Sequence, residues 1–214
     1  APHPDDEILG CGGLISKFCS YPNTKIEIII VGGHLPPLYK KENFELTQKE
    51  CLNALCSINS KIKIHFLKYS ATFLKDIPTN ELNSKIDIYL KKFKPEILCI
   101  PFPDRHVDHR VIFDSSMVLS RPHLSHSPKI LLAYETLSET HWNASYIEPN
   151  FNPEYFVNID NYIKSKCKSM GFYKSQLKSN STRSLEAIKS LARFRGSQNG
   201  CKYAEAFKVI RILD

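Results

Sequence analysis

The sequence predicts an α/β fold in which a mostly parallel sheet is covered by helices on both faces. Strand-like apolar runs alternate with amphipathic helical patterns along the 214 residues, and this alternation is typical of parallel sheets. No internal repeat, low-complexity tract or linker divides the chain. We therefore expect one three-layer domain over residues 1–214, with functional loops outside the carboxyl ends of the strands.

The strand patterns are short and rich in β-branched residues. Residues 25–33 read KIEIIIVGG and end in two glycines, and residues 61–67, KIKIHFL, alternate like a half-buried strand. Two shorter apolar runs predict further strands over residues 97–100 and 130–133.

The helical patterns place apolar residues on one face of each segment. Thr79 or Asn80 can cap the second of them, and Pro95 follows its end. The predicted helices cover residues 42–55, 79–93, 163–177 and 184–195.

The composition is that of a folded protein that does not insert stably into a membrane. Apolar residues make up 42% and charged residues 24%, and no apolar run approaches the roughly 18 residues that a transmembrane helix needs. The seven cysteines include no C-x-x-C pair, which favours reduced thiols and a cytoplasmic location. The net charge of +7 suits anionic ligands, but the lysines are dispersed, so we expect no nucleic-acid partner.

The first candidate site lies in HPDDEILGCGG, residues 3–13. His3 and Asp6 are one short turn apart and can bind one metal ion, while Asp5 between them can take a proton from a bound water. The glycines allow close packing where a helix begins. A frayed acidic terminus is the alternative interpretation of this segment. A dinucleotide-binding loop is excluded because G-x-G-x-x-G is not met.

The second candidate site is PFPDRHVDHR, residues 101–110, directly after a predicted strand. His109 can supply a third metal ligand. His106 can then act as a cation or acid, kept protonated by a carboxylate such as that of Asp108. The two loops together predict a mononuclear metal site.

The combination of H-P-D-D-E-x-L-G-x-G-G with H-x-D-H resembles the PIG-L/LmbE-like family of metal-dependent de-N-acetylases, in the version of soluble bacterial members. Those enzymes remove acetyl from N-acetylated amino sugars, and their fold is a Rossmann-like α-β-α sandwich. The resemblance continues through six later segments: residues 134–135, 138–142, 156–159, 173–176, 193–196 and 200–207.

The resemblance implies a zinc-dependent hydrolase that cleaves the acetamide C–N bond with a metal-activated water; iron(II) or another divalent ion can replace zinc. It implies His3, Asp6 and His109 as metal ligands and Asp5 as general base. His106, with Asp108 as its partner, would stabilise the tetrahedral intermediate or protonate the leaving amine. Tyr203 is a candidate for polarising the acetyl carbonyl, or else a core aromatic.

The expected substrate is an N-acetylated amino sugar or glycoconjugate, with the basic chain favouring a nucleotide- or phosphate-linked one. A role in polysaccharide or glycoconjugate biosynthesis and a homo-oligomeric assembly are further expectations. The rival hypotheses are a non-catalytic carbohydrate- or nucleic-acid-binding module on the same fold and a two-metal phosphoesterase, which would need more ligands than these loops provide.

The sequence departs from the family pattern at two places. An apolar strand usually precedes the H-P-D-D motif, and only Ala1 and Pro2 do so here, so we expect that strand upstream. Many relatives also carry a substrate-binding arginine in the helix after the second strand, where this chain has residues 47–50, TQKE.

Overall fold

The computed structural model describes residues 1–144, 146–179 and 181–214. Helices and strands alternate along most of the chain, as the sequence predicts. Short 3₁₀ turns lie at Leu74–Asp76 and Thr140–Trp142. The elements are α1 (Asp6–Cys19), β1 (Glu27–Gly33), α2 (Lys41–Ile58), β2 (Lys63–Ser70), α3 (Thr79–Phe93), β3 (Ile97–Pro101), α4 (Val107–Leu119), β4 (Ile130–Tyr134), β5 (Tyr155–Asn158), α5 (Ile163–Met170), α6 (Leu185–Ser197) and β6 (Ala204–Ile212).

The strands form a parallel pair, β1–β2, and a four-stranded sheet of order β3-β4-β6-β5. In the second sheet β3 and β4 are parallel, whereas β6 runs antiparallel to both β4 and β5. The α/β class is confirmed, but a mostly parallel sheet is not. Hydrophobic periodicity indicates how deeply a strand is buried. It does not indicate the direction in which the strand runs, because that direction depends on where the preceding helix ends.

The predicted helices and strands are present in the structure, but most of them begin or end at different residues. The helix predicted over residues 163–177 ends earlier, at Met170, where Gly171 begins a series of tight turns. Helix α4 and strands β5 and β6 are not among the predicted elements. No helix in the three described ranges is both long and apolar enough to cross a bilayer.

Of the three buried apolar clusters that the described residues form, two lie on opposite sides of β1. Helices α1, α2, α5 and α6 pack in one cluster with Ile30 of β1 and Leu132 of β4. Helices α3 and α4 pack in the other with Val31 of β1. Adjacent residues of β1 therefore face different helical layers, as expected for a strand buried on both faces.

The first residues of the chain extend alongside β1. Val31 N–H donates to Ala1 C=O at 3.0 Å, and Gly32 N–H donates to Pro2 C=O at 2.7 Å. This pairing places His3 at the carboxyl end of β1, the end where α/β proteins bind ligands.

Helix α1 is held against the second sheet by a buried ion pair that reaches its backbone. The Glu205 carboxylate of β6 accepts hydrogen bonds from Gly13 N–H and Leu14 N–H, both at 2.7 Å. Lys166 Nζ lies 2.6 Å from Glu205 Oε1 and donates to Leu9 C=O at 2.7 Å. Both charged groups therefore make further hydrogen bonds, which a buried ion pair needs to offset the cost of losing water.

The glycines of α1 are needed for close approach. A Cβ on Gly10 would lie 2.1 Å from the Tyr134 ring, and one on Gly13 would lie 2.7 Å from Ile159. The glycines of the first motif thus let α1 lie directly on β4 and on the chain after β5, which positions the charged residues at its start.

We predict that Gly10→Ala lowers the free energy of unfolding by about 2–3 kcal/mol, because the added methyl overlaps the buried Tyr134 ring. Chemical denaturation followed by circular dichroism measures this. Gly12→Ala is the matched control, since its Cβ would meet only side-chain atoms at 3.1 Å or more and alanine is the better helix former. Equal effects of the two substitutions would contradict the packing argument.

Candidate active site

The two predicted motifs meet where the first turns of α1 and α4 approach one another. His3, Asp5 and Asp6 come from the start of α1, and His106 and His109 come from the start of α4. The His106 ring lies 4.6 Å from the His3 ring and 5.0 Å from the His109 ring, between centroids. The fold therefore brings together residues of the two motifs that are about a hundred positions apart in the sequence.

The Asp6 carboxylate lies between two imidazoles. Its Oδ2 is 3.2 Å from His3 Nδ1 and 3.4 Å from His109 Nε2. Asp6 and His109 are almost fully buried. Donor atoms that share one tetrahedral zinc ion at bond lengths of about 2.0–2.1 Å lie about 3.4 Å apart. The two distances from Asp6 Oδ2 are therefore close to those between donor atoms that share one small cation.

An outer carboxylate holds the far nitrogen of each imidazole. His3 Nε2 is 2.8 Å from Asp108 Oδ2, and His109 Nδ1 is 2.9 Å from Asp104 Oδ1. Both outer carboxylates are buried and have further donors. Metal-ligating histidines in proteins are oriented in this way, with the second ring nitrogen bonded to a carboxylate. The arrangement leaves His3 Nδ1 and His109 Nε2 facing Asp6.

The donor set fits a divalent cation such as zinc. Two imidazoles and one carboxylate are a common protein ligand set for catalytic zinc, which keeps another position for water. His3, His106 and His109 also have donor atoms within 4.8 Å of one another, so a three-histidine set is a second geometric option. Asp6 is the better geometric candidate than His106, because its Oδ2 is within 3.4 Å of His3 Nδ1 and of His109 Nε2.

The opposite charges in the cluster stabilise the ionised form of each group. Burial opposes protonation of His3, but hydrogen bonds to Asp108 and Asp6 outweigh it and raise its pKa to about 9. For His109, burial is likewise outweighed by the charge of Asp6 and the bond to Asp104, which raise its pKa to about 10. Burial opposes ionisation of Asp6, yet His109 and His3 hold its pKa well below the usual range. The buried carboxylates thus favour positive charge at this position.

His106 differs from the other two histidines. It caps the N-terminus of α4, with Nδ1 accepting the Asp108 backbone N–H at 3.2 Å. Burial and the charges of His3 and His109 lower its pKa to about 4. With Nδ1 acting as acceptor, a neutral His106 carries its proton on Nε2 and offers a neutral N–H donor.

The predicted partnership between His106 and Asp108 is not what the structure shows. The Asp108 carboxylate instead bonds His3 and accepts from Thr72 N–H at 2.6 Å and Leu74 N–H at 3.3 Å. Its side chain points toward the loop after β2, while its backbone N–H donates to His106 Nδ1. The expectation that Asp108 keeps His106 protonated is therefore corrected.

Asp5 has a free carboxylate oxygen in a buried position. Its side chain makes no capping hydrogen bond to α1, and Oδ2 has no hydrogen-bond partner among the described residues. Burial and the charge of Asp6 raise its pKa to about 8, while Arg183 acts in the opposite direction. Arg183 Nε lies 3.8 Å from Asp5 Oδ2. Asp5 is thus free to bond a water or substrate.

Tyr203 lies away from this cluster. Its backbone N–H donates to Asp160, and Lys202 lies over its ring. The side chain lines an open surface depression with Arg193 and Phe194 of α6. The structure therefore brings six of the seven predicted residues together and places Tyr203 elsewhere.

The sequence does not predict the roles of two residues of the site, Asp104 and Arg183. Asp104 lies within the second motif, but only its contact with His109 reveals its role. Arg183 comes from an irregular segment with no recognisable pattern. Residues 47–50 of α2 occupy the position where the family pattern has an arginine. Here Thr47 bonds back to its own helix, and Glu50 accepts from Ser175. The guanidinium facing Asp5 comes instead from Arg183.

A sequence profile of the PIG-L family, described as GlcNAc-PI de-N-acetylase, matches residues 1–119, more than half of the chain. The chain belongs to the PIG-L family. Both predicted motifs lie within the matched residues, and the family resemblance inferred from them is confirmed.

Similar proteins cover nearly the whole of this PIG-L chain. Diacetylchitobiose deacetylase of Thermococcus kodakarensis is 23% identical over 222 residues, covering 98% of this chain and 80% of that protein. The N,N'-diacetylchitobiose deacetylase structure from Pyrococcus horikoshii is 22% identical with a TM-score of 0.75, over 98% of this chain and 81% of that one. Conserved protein TT1542 of Thermus thermophilus is 24% identical with a TM-score of 0.78, over 97% and 90%.

We predict that Asp104→Asn weakens zinc binding about 10- to 100-fold, because the His109 ring loses the carboxylate that orients it. Isothermal titration calorimetry with zinc measures this. Asp87→Asn is the matched control, since Asp87 also faces an imidazole, His126 Nε2 at 2.9 Å, in a different part of the fold. Unchanged zinc affinity in Asp104→Asn would contradict the role of Asp104.

Proposed function

We propose that this protein is a metal-dependent deacetylase that hydrolyses the acetamide of an N-acetylated amino sugar or glycoconjugate. One observation carries the proposal: a buried Asp5 carboxylate oxygen, without a hydrogen-bond partner in the described part of the chain, lies beside a His–Asp–His cluster. Membership of the PIG-L family and similarity to two deacetylases that act on diacetylchitobiose support it.

In this proposal His3, Asp6 and His109 hold one divalent cation, zinc or iron(II). When bound, such a cation polarises the acetyl carbonyl and lowers the pKa of water. Asp108 and Asp104 fix the rings of the two histidine ligands. The protein supplies the remaining chemistry through Asp5 and His106.

Asp5 acts as the general base. Its free Oδ2 accepts a proton from the attacking water, and the protonated carboxyl then delivers that proton to the amine nitrogen as the C–N bond breaks. Burial raises its pKa to about 8, so both the ionised and the protonated carboxyl are accessible near neutral pH and one group can serve in both directions. Acetate and a free amine are the products.

His106 stabilises the oxygen of the acetyl group. A neutral imidazole with Nδ1 bonded to the Asp108 backbone carries its proton on Nε2, and that donor can bond the carbonyl oxygen as it gains negative charge. The role is that predicted from the motif, with a neutral donor in place of a protonated one.

The substrate is expected to carry an anionic group. Arg183 lies at the edge of the site with a partly exposed guanidinium, whose Nε faces Asp5 Oδ2 at 3.8 Å. The chain carries a net charge of +7. These features suit a nucleotide- or phosphate-linked amino sugar, as used in polysaccharide or glycoconjugate biosynthesis.

We predict that Asp5→Asn lowers kcat by about 10²–10⁴-fold and His106→Ala by about 10²–10³-fold with little change in KM. In both variants zinc affinity should stay near the wild-type value, since neither residue is assigned as a ligand. Steady-state acetate release measures the rates. His123→Ala, which changes an exposed histidine, is the control, and full turnover by His106→Ala would contradict its assignment.

The proposed function is tested by acetate release from a panel of N-acetylated amino sugars, free and phosphate- or nucleotide-linked, with zinc-loaded wild type and Asp5→Asn. Acetate from the wild type alone supports the proposal, and the preferred aglycone identifies the substrate class. No acetate together with no zinc bound would contradict it. Salt-sensitive binding to random oligonucleotides in that case would favour the binding-module alternative.

A further inference from the structure

The backbone of Asp5 is held in an unusual conformation. Its φ is 114° and its ψ is −31°, a region that non-glycine residues rarely adopt and that persists only when surrounding contacts impose it. Asp5 C=O bonds Ile8 N–H and Leu9 N–H at the start of α1. The other side of the residue, its N–H group, therefore needs a separate constraint.

Glu7 provides that constraint. Its Oε2 accepts a hydrogen bond from Asp5 N–H at 3.1 Å. The side chain of Glu7 is buried, with only 4% of its surface exposed, so its carboxylate must itself be held by donors. Because Glu7 bonds the backbone of Asp5, the Asp5 side chain stays free to face the site.

The donors to Glu7 come from two other parts of the fold. The Tyr173 hydroxyl donates to Glu7 Oε1, and Cys51 Sγ of α2 lies 4.0 Å from the same oxygen. Tyr173 and Cys51 are fully buried. The rotamer of Glu7 is thus set chiefly by one tyrosine hydroxyl in the turns that follow α5.

The same turn region reaches Asp5 by a second route. Gln176 Oε1 accepts from Arg183 at 3.2 Å, and Arg183 faces the Asp5 carboxylate. Residues 173–176 therefore contact the partners of Asp5 on its backbone side and on its side-chain side. A segment that only closed the hydrophobic core would need neither contact.

We propose that Tyr173 is a positioning residue for the general base: its hydroxyl orients Glu7, which holds the Asp5 backbone so that the carboxylate points into the site. The inference rests on the proposed function, in which Asp5 is the base. Tyr173 touches no reacting atom and acts through Glu7.

Tyr173→Phe removes this one hydroxyl and keeps the buried ring. We expect kcat for acetate release to fall about 10- to 100-fold, because a small displacement of a catalytic group is costly, while KM and zinc affinity stay within about twofold. Glu7→Gln should act in the same direction, since an amide cannot accept from both donors. The Asp5 backbone amide should also exchange its hydrogen faster, which NMR measures without any substrate.

Ser169→Ala is the matched control. The Ser169 hydroxyl is buried and bonds Ala54 C=O at 2.7 Å, so it joins α5 to α2 without touching Glu7. This variant should lose stability to a similar degree and keep kcat and the Asp5 exchange rate. Thermal unfolding of both variants makes the comparison quantitative.

The proposal is overturned if Tyr173→Phe keeps wild-type kcat, or if its kcat, zinc affinity and Asp5 exchange change only as much as in Ser169→Ala. If the wild type releases no acetate, the proposed function fails while the exchange of the Asp5 amide still decides whether Tyr173 holds that backbone. The two failures are therefore distinguishable.

Discussion

The buried carboxylate of Asp6 is the group on which the rest of the site depends. It faces one nitrogen of His3 and one of His109, and the far nitrogen of each ring is held by a further carboxylate. Burying so many charges is unfavourable unless every one is paired. The pairing here is complete only if positive charge, as protons or as a cation, lies between Asp6 and the two imidazoles. That requirement connects the stability of the region with its ability to bind a metal.

The scaffold delivers these groups by fixing the ends of two helices. Glu205 and Lys166 anchor α1 through its backbone, and Gly10 lets the helix lie against Tyr134. The start of α4 is anchored by the bonds of Asp108 to the loop after β2. Both helix N-termini also favour the carboxylates in their first turns. Precision at the site thus follows from contacts made well outside it.

Much of the site can be predicted from the sequence because the proposed ligands lie in two compact motifs. Spacing within a motif shows that His3 and Asp6 can share an ion, and the position after β3 places His109 beside them. The direction in which a side chain points cannot be predicted from the spacing within a motif, because it depends on which donor is nearest in the fold. Asp108 adjoins His106 in sequence yet bonds His3, and Arg183 reaches Asp5 from a segment with no motif. The antiparallel direction of β6 has the same kind of cause, since β6 packs between β4 and β5 through contacts distant in sequence.

The central claim is that His3, Asp6 and His109 hold one divalent cation. Zinc K-edge X-ray absorption of protein loaded with one equivalent of zinc tests it most directly. The account predicts two imidazoles and carboxylate or water oxygens at about 2.0–2.1 Å, and the loss of one imidazole in His109→Ala. A sulfur shell at about 2.3 Å, or a spectrum unchanged by His109→Ala, would contradict it.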